Sequence, residues 1–227
     1  MLIHEGDSRT ARTDLGLAST LAFVAGGVNS AGFMAFHSFS ANMTGNVSMA
    51  SELLAIEGYD QALGFLTIVL MFILGAFAAS LLIEVGKRER RRNIYALTLI
   101  AESAILLGIG GSAVLGVGHS NGMLVVGLLS LTMGIQNAAS TRISGSRVRT
   151  THVSGVATDI GVGIAMLLGG DVADRAAVRR RLGLHFATIS AFAIGGVIGV
   201  IGYQNLGSFA FALFAAPLIT LGVLYFK

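Results

Sequence analysis

Six apolar runs of roughly 20 residues fill most of this chain, covering about 15–36, 61–84, 94–117, 123–140, 184–203 and 208–226. At 1.5 Å per residue, a helix of about 20 residues spans about 30 Å, the thickness of a bilayer's hydrocarbon core. Lipid offers no partners to backbone N–H and C=O groups, so each run must close its own hydrogen-bond ladder as a helix. The residues are 54% hydrophobic and only 12% charged, which agrees. The sequence therefore predicts an all-α membrane protein of six transmembrane helices, with the lipid bilayer as its first partner. Residues 15–227 form one transmembrane domain behind a cytoplasmic N-terminal segment, 1–14.

Composition closes off several function classes. There is no cysteine, which excludes disulfides, thiolate chemistry and cysteine-bound metal. The net charge of +3 would suit nucleic acid, but the bases sit in short clusters between apolar runs, where membrane orientation explains them. No nucleic-acid partner is expected. Residues 1–14 carry acids beside Arg9 and Arg12 and lack a basic lead into a short apolar core with a cleavage site, so the first run reads as a retained helix. The five histidines are scattered, with His37, His119 and His185 near run ends, and no spacing suggests a metal centre or a cofactor.

Cytoplasmic loops carry the excess of Lys and Arg. With the N-terminus inside, six crossings place Lys87-Arg88-Glu89-Arg90-Arg91-Arg92, the arginines at 142, 147, 149, 175 and 179–181, and Lys227 all on the cytoplasmic side. The loop around Thr44 and the link His119-Ser120-Asn121-Gly122, which have no Lys or Arg, fall outside. The short apolar segment 156–168 has basic residues of the same side before and after it. A helix lying on the surface would carry Lys or Arg along its polar face. This one has none, which favours a re-entrant helix buried among the spans.

Ala41-Asn42-Met43-Thr44-Gly45-Asn46 and Thr151-His152-Val153-Ser154-Gly155-Val156 are similar polar runs, each opening a short apolar segment. An offset of about 110 residues aligns them, and also sets Gly27-Val28-Asn29-Ser30-Ala31 against Gly134-Ile135-Gln136-Asn137-Ala138. The order is the same in both halves: long run, polar break, short segment, two more runs. Each unit (about 15–117 and 123–226) has three crossings, so the second must lie inverted relative to the first. In inverted-repeat transporters the site lies near mid-membrane, where discontinuous helices meet. The expectation is two short re-entrant or broken helices, opened by Thr44 from outside and Ser154 from inside, with their N-termini approaching each other.

Helix N-termini carry unpaired N–H groups and partial positive charge, so two opposed ones favour an anion or an acceptor-rich solute. Thr44 and Ser154 are good N-cap residues, and the neighbouring Gly45 and Gly155 allow close approach. The expected substrate-binding set is Asn29, Ser30, Asn42, Thr44, Gly45, Asn46, Gln136, Asn137, Thr151, His152, Ser154 and Gly155. The amides Asn29, Gln136 and Asn137 have two readings, hydrogen bonding between helices or lining of a solute path.

Met43-Thr44-Gly45-Asn46, Met133-Gly134-Ile135-Gln136-Asn137-Ala138 and Thr150-Thr151-His152-Val153-Ser154-Gly155 together resemble the paired signatures of the YoaK-type family of bacterial membrane proteins, a domain of unknown function. The resemblance covers residues 15–226 and implies a multi-pass bacterial inner-membrane protein of about six helices with no assigned activity. Similar sequences often carry an acid where this chain has Asn29, and Thr-Gly where it has Ser154-Gly155.

Glu102 is the only charged residue between Ile94 and Ser140, and an intramembrane acid is by default a candidate for proton or cation coupling; pairing with an arginine is the competing reading. Asp159 serves either coupling or the helix dipole. The expected function is a transporter or channel-like protein for a small polar or anionic solute. The alternative is a non-transporting scaffold or accessory subunit, with Gly195-Gly196, Gly199 and Gly202 serving contacts within the chain or between copies of a homo-oligomer. An intramembrane serine hydrolase using Ser154 and His185 lacks the Gly-x-Ser-x-Gly elbow, so the chain is not expected to be an enzyme.

Overall fold

The computed structural model describes residues 2, 4–91, 93–112, 122–170 and 173–225. A 3-10 turn at Gly6–Ser8 precedes eight helices among the described residues: α1 (Ala11–Phe36), α2 (Met43–Ala55), α3 (Tyr59–Arg88), α4 (Ile94–Ser112), α5 (Gly122–Ser144), α6 (Val153–Gly169), α7 (Arg175–Leu206) and α8 (Phe209–Leu224). No strand occurs among the described residues.

Five helices, α1, α3, α4, α5 and α7, are long and apolar enough to cross a membrane. The sixth expected span corresponds to α8, which has 16 residues and contains Pro217. At 1.5 Å per residue it is about 24 Å long, short of the hydrocarbon thickness. The tail of the third run and most of the His119 link lie outside the described residues. Large apolar side chains are exposed along α3 (Leu63, Leu70, Ile73, Phe77) and along the later part of α7 (Ile194, Val197, Ile201), a surface suited to lipid.

Local chemistry fixes the helix ends. Thr10 and Thr13 form a capping box that starts α1, with Asp14 in its first turn complementing the dipole. Asp174 accepts the Ala177 N–H and starts α7. Lys87 and Arg88 close α3, where cations are favoured.

The interior joins Leu17, Leu21, Val24 and Val28 of α1 to Leu99 and Leu106 of α4, Leu129 and Met133 of α5, and Phe211, Phe214 and Leu218 of α8. Around it, the most extensive pairings are α1 with α7, α3 with α5 and α4 with α8. Glycines set the first two. A methyl on Gly26 would stand 2.0 Å from the Phe192 carbonyl oxygen, and one on Gly195 2.0 Å from that of Phe23. Between α3 and α5 the same reciprocal contact recurs, Gly75 against Leu131 O and Gly134 against Phe72 O, each at 2.1 Å. Such spacing lets the backbones touch, which is how transmembrane helices pack without a hydrophobic driving force.

This packing explains a departure from expectation. Gly26–Ser30 and Gly134–Asn137 do not interrupt their helices; α1 and α5 run through them unbroken. The glycines serve close packing instead of a break. Asn29 and Asn137 beside them accept from loop residues, and Gln136 donates to Thr150 and to the Leu21 carbonyl of α1.

Among the described residues α2 packs only on α3, and α6 only on α7. In the second pair Asp159 meets Arg181 and His185, Gly163 meets Leu182, and the Leu167 carbonyl accepts Arg175. The two helices are therefore antiparallel. No contact joins α2 to α6 among the described residues, so the expected meeting of their N-termini does not occur.

Candidate functional site

The residues expected to bind solute divide into a structural group and a cavity group. Asn29 and Asn137 each lie about two turns, roughly 10 Å, before the ends of α1 and α5. The Asn29 side-chain oxygen accepts the Ala41 N–H at 2.9 Å, and the Asn137 side-chain oxygen accepts the Thr151 hydroxyl at 3.0 Å. Each amide thus holds the loop leading into a short helix. Gln136 adds to the second clamp, donating to the Leu21 carbonyl of α1 and the Thr150 hydroxyl, both at 3.0 Å. Asn46 is buried and donates to the Phe39 carbonyl at 2.9 Å. All four amides, and Thr151, have structural partners.

The cap positions differ from expectation. Asn42 caps α2 by accepting the Gly45 N–H at 3.1 Å, and His152 occupies the N-cap of α6 without a side-chain cap bond. Thr44 and Ser154 stand in the first turn instead, exposed. Their carbonyls accept the hydroxyls of Ser48 and Thr158. The motif glycines make room for the cap side chains: a methyl on Gly45 would be 2.4 Å from Asn42 Nδ2, and one on Gly155 2.4 Å from His152 Cε1. Ser30 borders a shallow apolar groove between α1 and α7, lined also by Phe192, Gly196 and Val197.

A cavity of about 980 Å³ lies elsewhere, bounded by the start of α1, the loop before α6, and the adjoining turns of α6 and α7. His152, Gly155 and Asp159 of the expected residues reach it. The rest of its chemistry comes from Arg9, Arg12, Arg147, Arg149, Arg180 and Arg181, with Asp14 and His185. Asp14 accepts Arg9 Nε at 2.5 Å and Arg147 Nε at 3.0 Å, and the Arg9 side chain is fully buried. Asp159 lies 3.4 Å from Arg181 and 3.7 Å from His185 Nε2. Arg149 approaches His152 Nδ1 at 3.5 Å. Apolar lining comes from Leu15, Val156 and Leu184.

Six arginines against two aspartates make this a cationic chamber, and guanidinium groups in it present donor forks suited to carboxylate or phosphate. Its size falls in the range of small-molecule pockets, roughly 300–1,000 Å³. In the sequence Arg147, Arg149, Arg180 and Arg181 read as orientation markers, Arg9 and Arg12 as part of a polar N-terminal segment, and His185 as an interfacial residue or a hydrolase partner. No hydrogen bond joins Ser154 to His185, whose Nδ1 has no partner among the described residues. No cluster of three His, Asp or Glu side chains suited to a metal occurs among the described residues.

Glu102 lies apart from the cavity. It is fully buried in α4, and neither carboxyl oxygen has a hydrogen-bond partner among the described residues. The expected alternative, pairing with an arginine, is not what the structure holds.

Neither a search of curated proteins nor one of solved structures gives a match. A protein-family model does match over residues 17–225, nearly the whole chain, taking in α2 to α8 and all of α1 beyond its first six residues. With an apolar all-helical fold that carries this match from its first long helix to its last, the chain belongs to DUF1275, a family of proteins of unknown function.

Proposed function

We propose that this chain is an integral-membrane transporter or channel-like protein for a small anionic solute, and that the arginine-lined cavity is its solute site. The observation that carries the reading is the cavity itself, about 980 Å³ with six arginines facing two aspartates. The site lies toward one face of the bundle instead of between two meeting helix ends. Both termini lie on the cytoplasmic side of a bacterial inner membrane, which puts the cavity within reach of cytoplasmic solutes.

The architecture proposed is a pair of inverted repeats, α1–α4 and α5–α8. Exchanging the halves maps α1–α7 onto α5–α3, α2–α3 onto α6–α7, α3–α4 onto α7–α8 and α4–α5 onto α8–α1, so every helix pairing has a counterpart. The reciprocal glycine contacts and the Asn29 and Asn137 clamps obey the same exchange. Loops that turn back roughly 10 Å along α1 and α5 before α2 and α6 begin support re-entrant placement of both short helices.

The same correspondence separates function from fold. Gly45 matches Gly155 and Gly75 matches Gly195, which sets Met49, Gln61 and Phe65 opposite Asp159, Arg181 and His185. The first hairpin folds with neutral residues where the second carries charge. The charged lining therefore answers to something other than packing. Glu102 is the proposed coupling group, an acid deep in α4 with no partner among the described residues. Asp159 lines the cavity and tempers the charge of Arg181.

The test is anion flux into proteoliposomes holding the purified chain, screened over small carboxylates, phosphates and sulfate. Saturable flux above that of empty vesicles supports the proposal; no flux for any of them overturns it. A non-transporting scaffold is the second reading, favoured by the lack of contact between α2 and α6 among the described residues, and it predicts binding without flux.

A further inference from the structure

The six cavity arginines are not equivalent. Arg9 and Arg147 share Asp14, Arg181 faces Asp159, and Arg180 lies 3.7 Å from Asp174 outside the cavity. Arg12, from the first turn of α1, and Arg149, from the loop before α6, have no carboxylate partner among the described residues. Two guanidinium groups from separate elements, neither with a carboxylate partner among the described residues, thus open on one chamber that also presents Leu15, Val156 and Leu184.

Given that the cavity is the solute site, which this inference takes from the reading above, we infer that its ligand is an organic phosphate: the phosphate is held by Arg12 and Arg149, and an apolar body rests on Leu15, Val156 and Leu184. Charge and shape both lead there. A phosphate monoester carries about −1.5 to −2 at neutral pH and offers oxygens to two guanidinium forks at once. A monocarboxylate would leave one arginine unmatched. Bare phosphate would fill a small part of 980 Å³ and leave the apolar wall wet. The same chemistry has two sources, a soluble phosphate ester or a phospholipid headgroup at the membrane boundary.

Orientation alone would also place arginines on this side, so the control must come from the same cluster. Arg179 belongs to the first turns of α7, is exposed, and does not line the cavity. Arg12 and Arg149 are exposed as well, so replacing any of the three leaves the core untouched.

The experiment measures thermal stabilisation of the purified full chain by hexyl phosphate, inorganic phosphate and hexanoate, for the unaltered protein and for Arg12→Gln, Arg149→Gln and Arg179→Gln. Binding to the folded state raises the melting temperature with ligand concentration. Hexyl phosphate should stabilise at lower concentration than the other two, with affinity weakened about tenfold or more in Arg12→Gln and in Arg149→Gln and unchanged in Arg179→Gln. Equal response to hexanoate, or equal loss in Arg179→Gln, would overturn the inference, as would no stabilisation by hexyl phosphate. A second arm uses nanodiscs of phosphatidylcholine with or without phosphatidic acid. Stabilisation by phosphatidic acid that depends on both arginines and displaces hexyl phosphate identifies a lipid headgroup; hexyl phosphate binding unaffected by phosphatidic acid identifies a soluble ester. Either result supports the organic-phosphate inference. Hexyl phosphate binding without anion flux removes the transport reading and leaves this inference standing, whereas arginine-dependent flux of a carboxylate without phosphate binding does the reverse.

Discussion

Asn29 accepts the backbone N–H of Ala41 through its side-chain oxygen at 2.9 Å, a bond that ties α1, about two turns before its end, to a loop residue 12 positions ahead. Asn137 holds Thr151 in the same manner, so both short helices begin from a loop drawn back into the bundle. The amides that look most like a solute path in the sequence are fasteners.

Removing the acceptor should therefore cost stability. Asn29→Leu leaves the Ala41 N–H without its partner, a loss of about 1–3 kcal/mol. Asn29→Asp keeps an acceptor in place and should lose less. Thermal unfolding in detergent ranks the two, and equal losses would contradict the clamp.

Glycine contacts give a second expectation. Gly134→Ala puts a methyl where the Phe72 carbonyl oxygen stands, 2.1 Å away, so α3 and α5 must separate. Overpacking of this kind costs about 1–3 kcal/mol. Gly108→Ala, where nothing lies within 4 Å of the added methyl, serves as the comparison and should melt as the unaltered chain does.

Much of this was legible in the sequence. Six apolar runs announced a helical membrane bundle, and polar residues inside them, Asn29 and Asn137 among them, stood out at matched positions. Their partners did not, because a side chain's reach to Ala41 or Thr151 leaves no periodic trace. The cavity was hidden for a related reason: residues 9–15, 146–159 and 180–188 are brought together only by tertiary packing. Arginines near run ends satisfy an orientation rule whether or not they share a chamber. Thr44 and Ser154 are of residue types that cap helices and histidine is not, so composition points away from His152, and only backbone geometry separates N-cap from first turn.

Breaking the Asp14 hub should be costly. Asp14→Asn removes the carboxylate from Arg9, whose side chain is fully buried, and from Arg147. Losing one partner of a buried ion pair costs about 3–5 kcal/mol. Asp174→Asn, whose carboxylate is 62% exposed and whose ion pair with Arg180 is long, should cost far less. Melting temperatures of the two variants decide the matter.

Orientation is open to chemistry that the cysteine-free chain makes clean. Single cysteines at positions 57 and 88, labelled in intact cells with a membrane-impermeant reagent, should react from outside at Glu57→Cys and be protected at Arg88→Cys. The reverse pattern would overturn the orientation on which the cytoplasmic placement of the cavity depends.

The central claim is that solute is handled at the arginine-lined cavity and not at a meeting of α2 with α6. Anion flux in one proteoliposome preparation series, comparing the unaltered chain with Arg149→Gln and Thr44→Ala, tests it most directly. Flux abolished or cut at least about tenfold in Arg149→Gln and retained in Thr44→Ala is the result expected. Flux that survives Arg149→Gln and is lost in Thr44→Ala would contradict it.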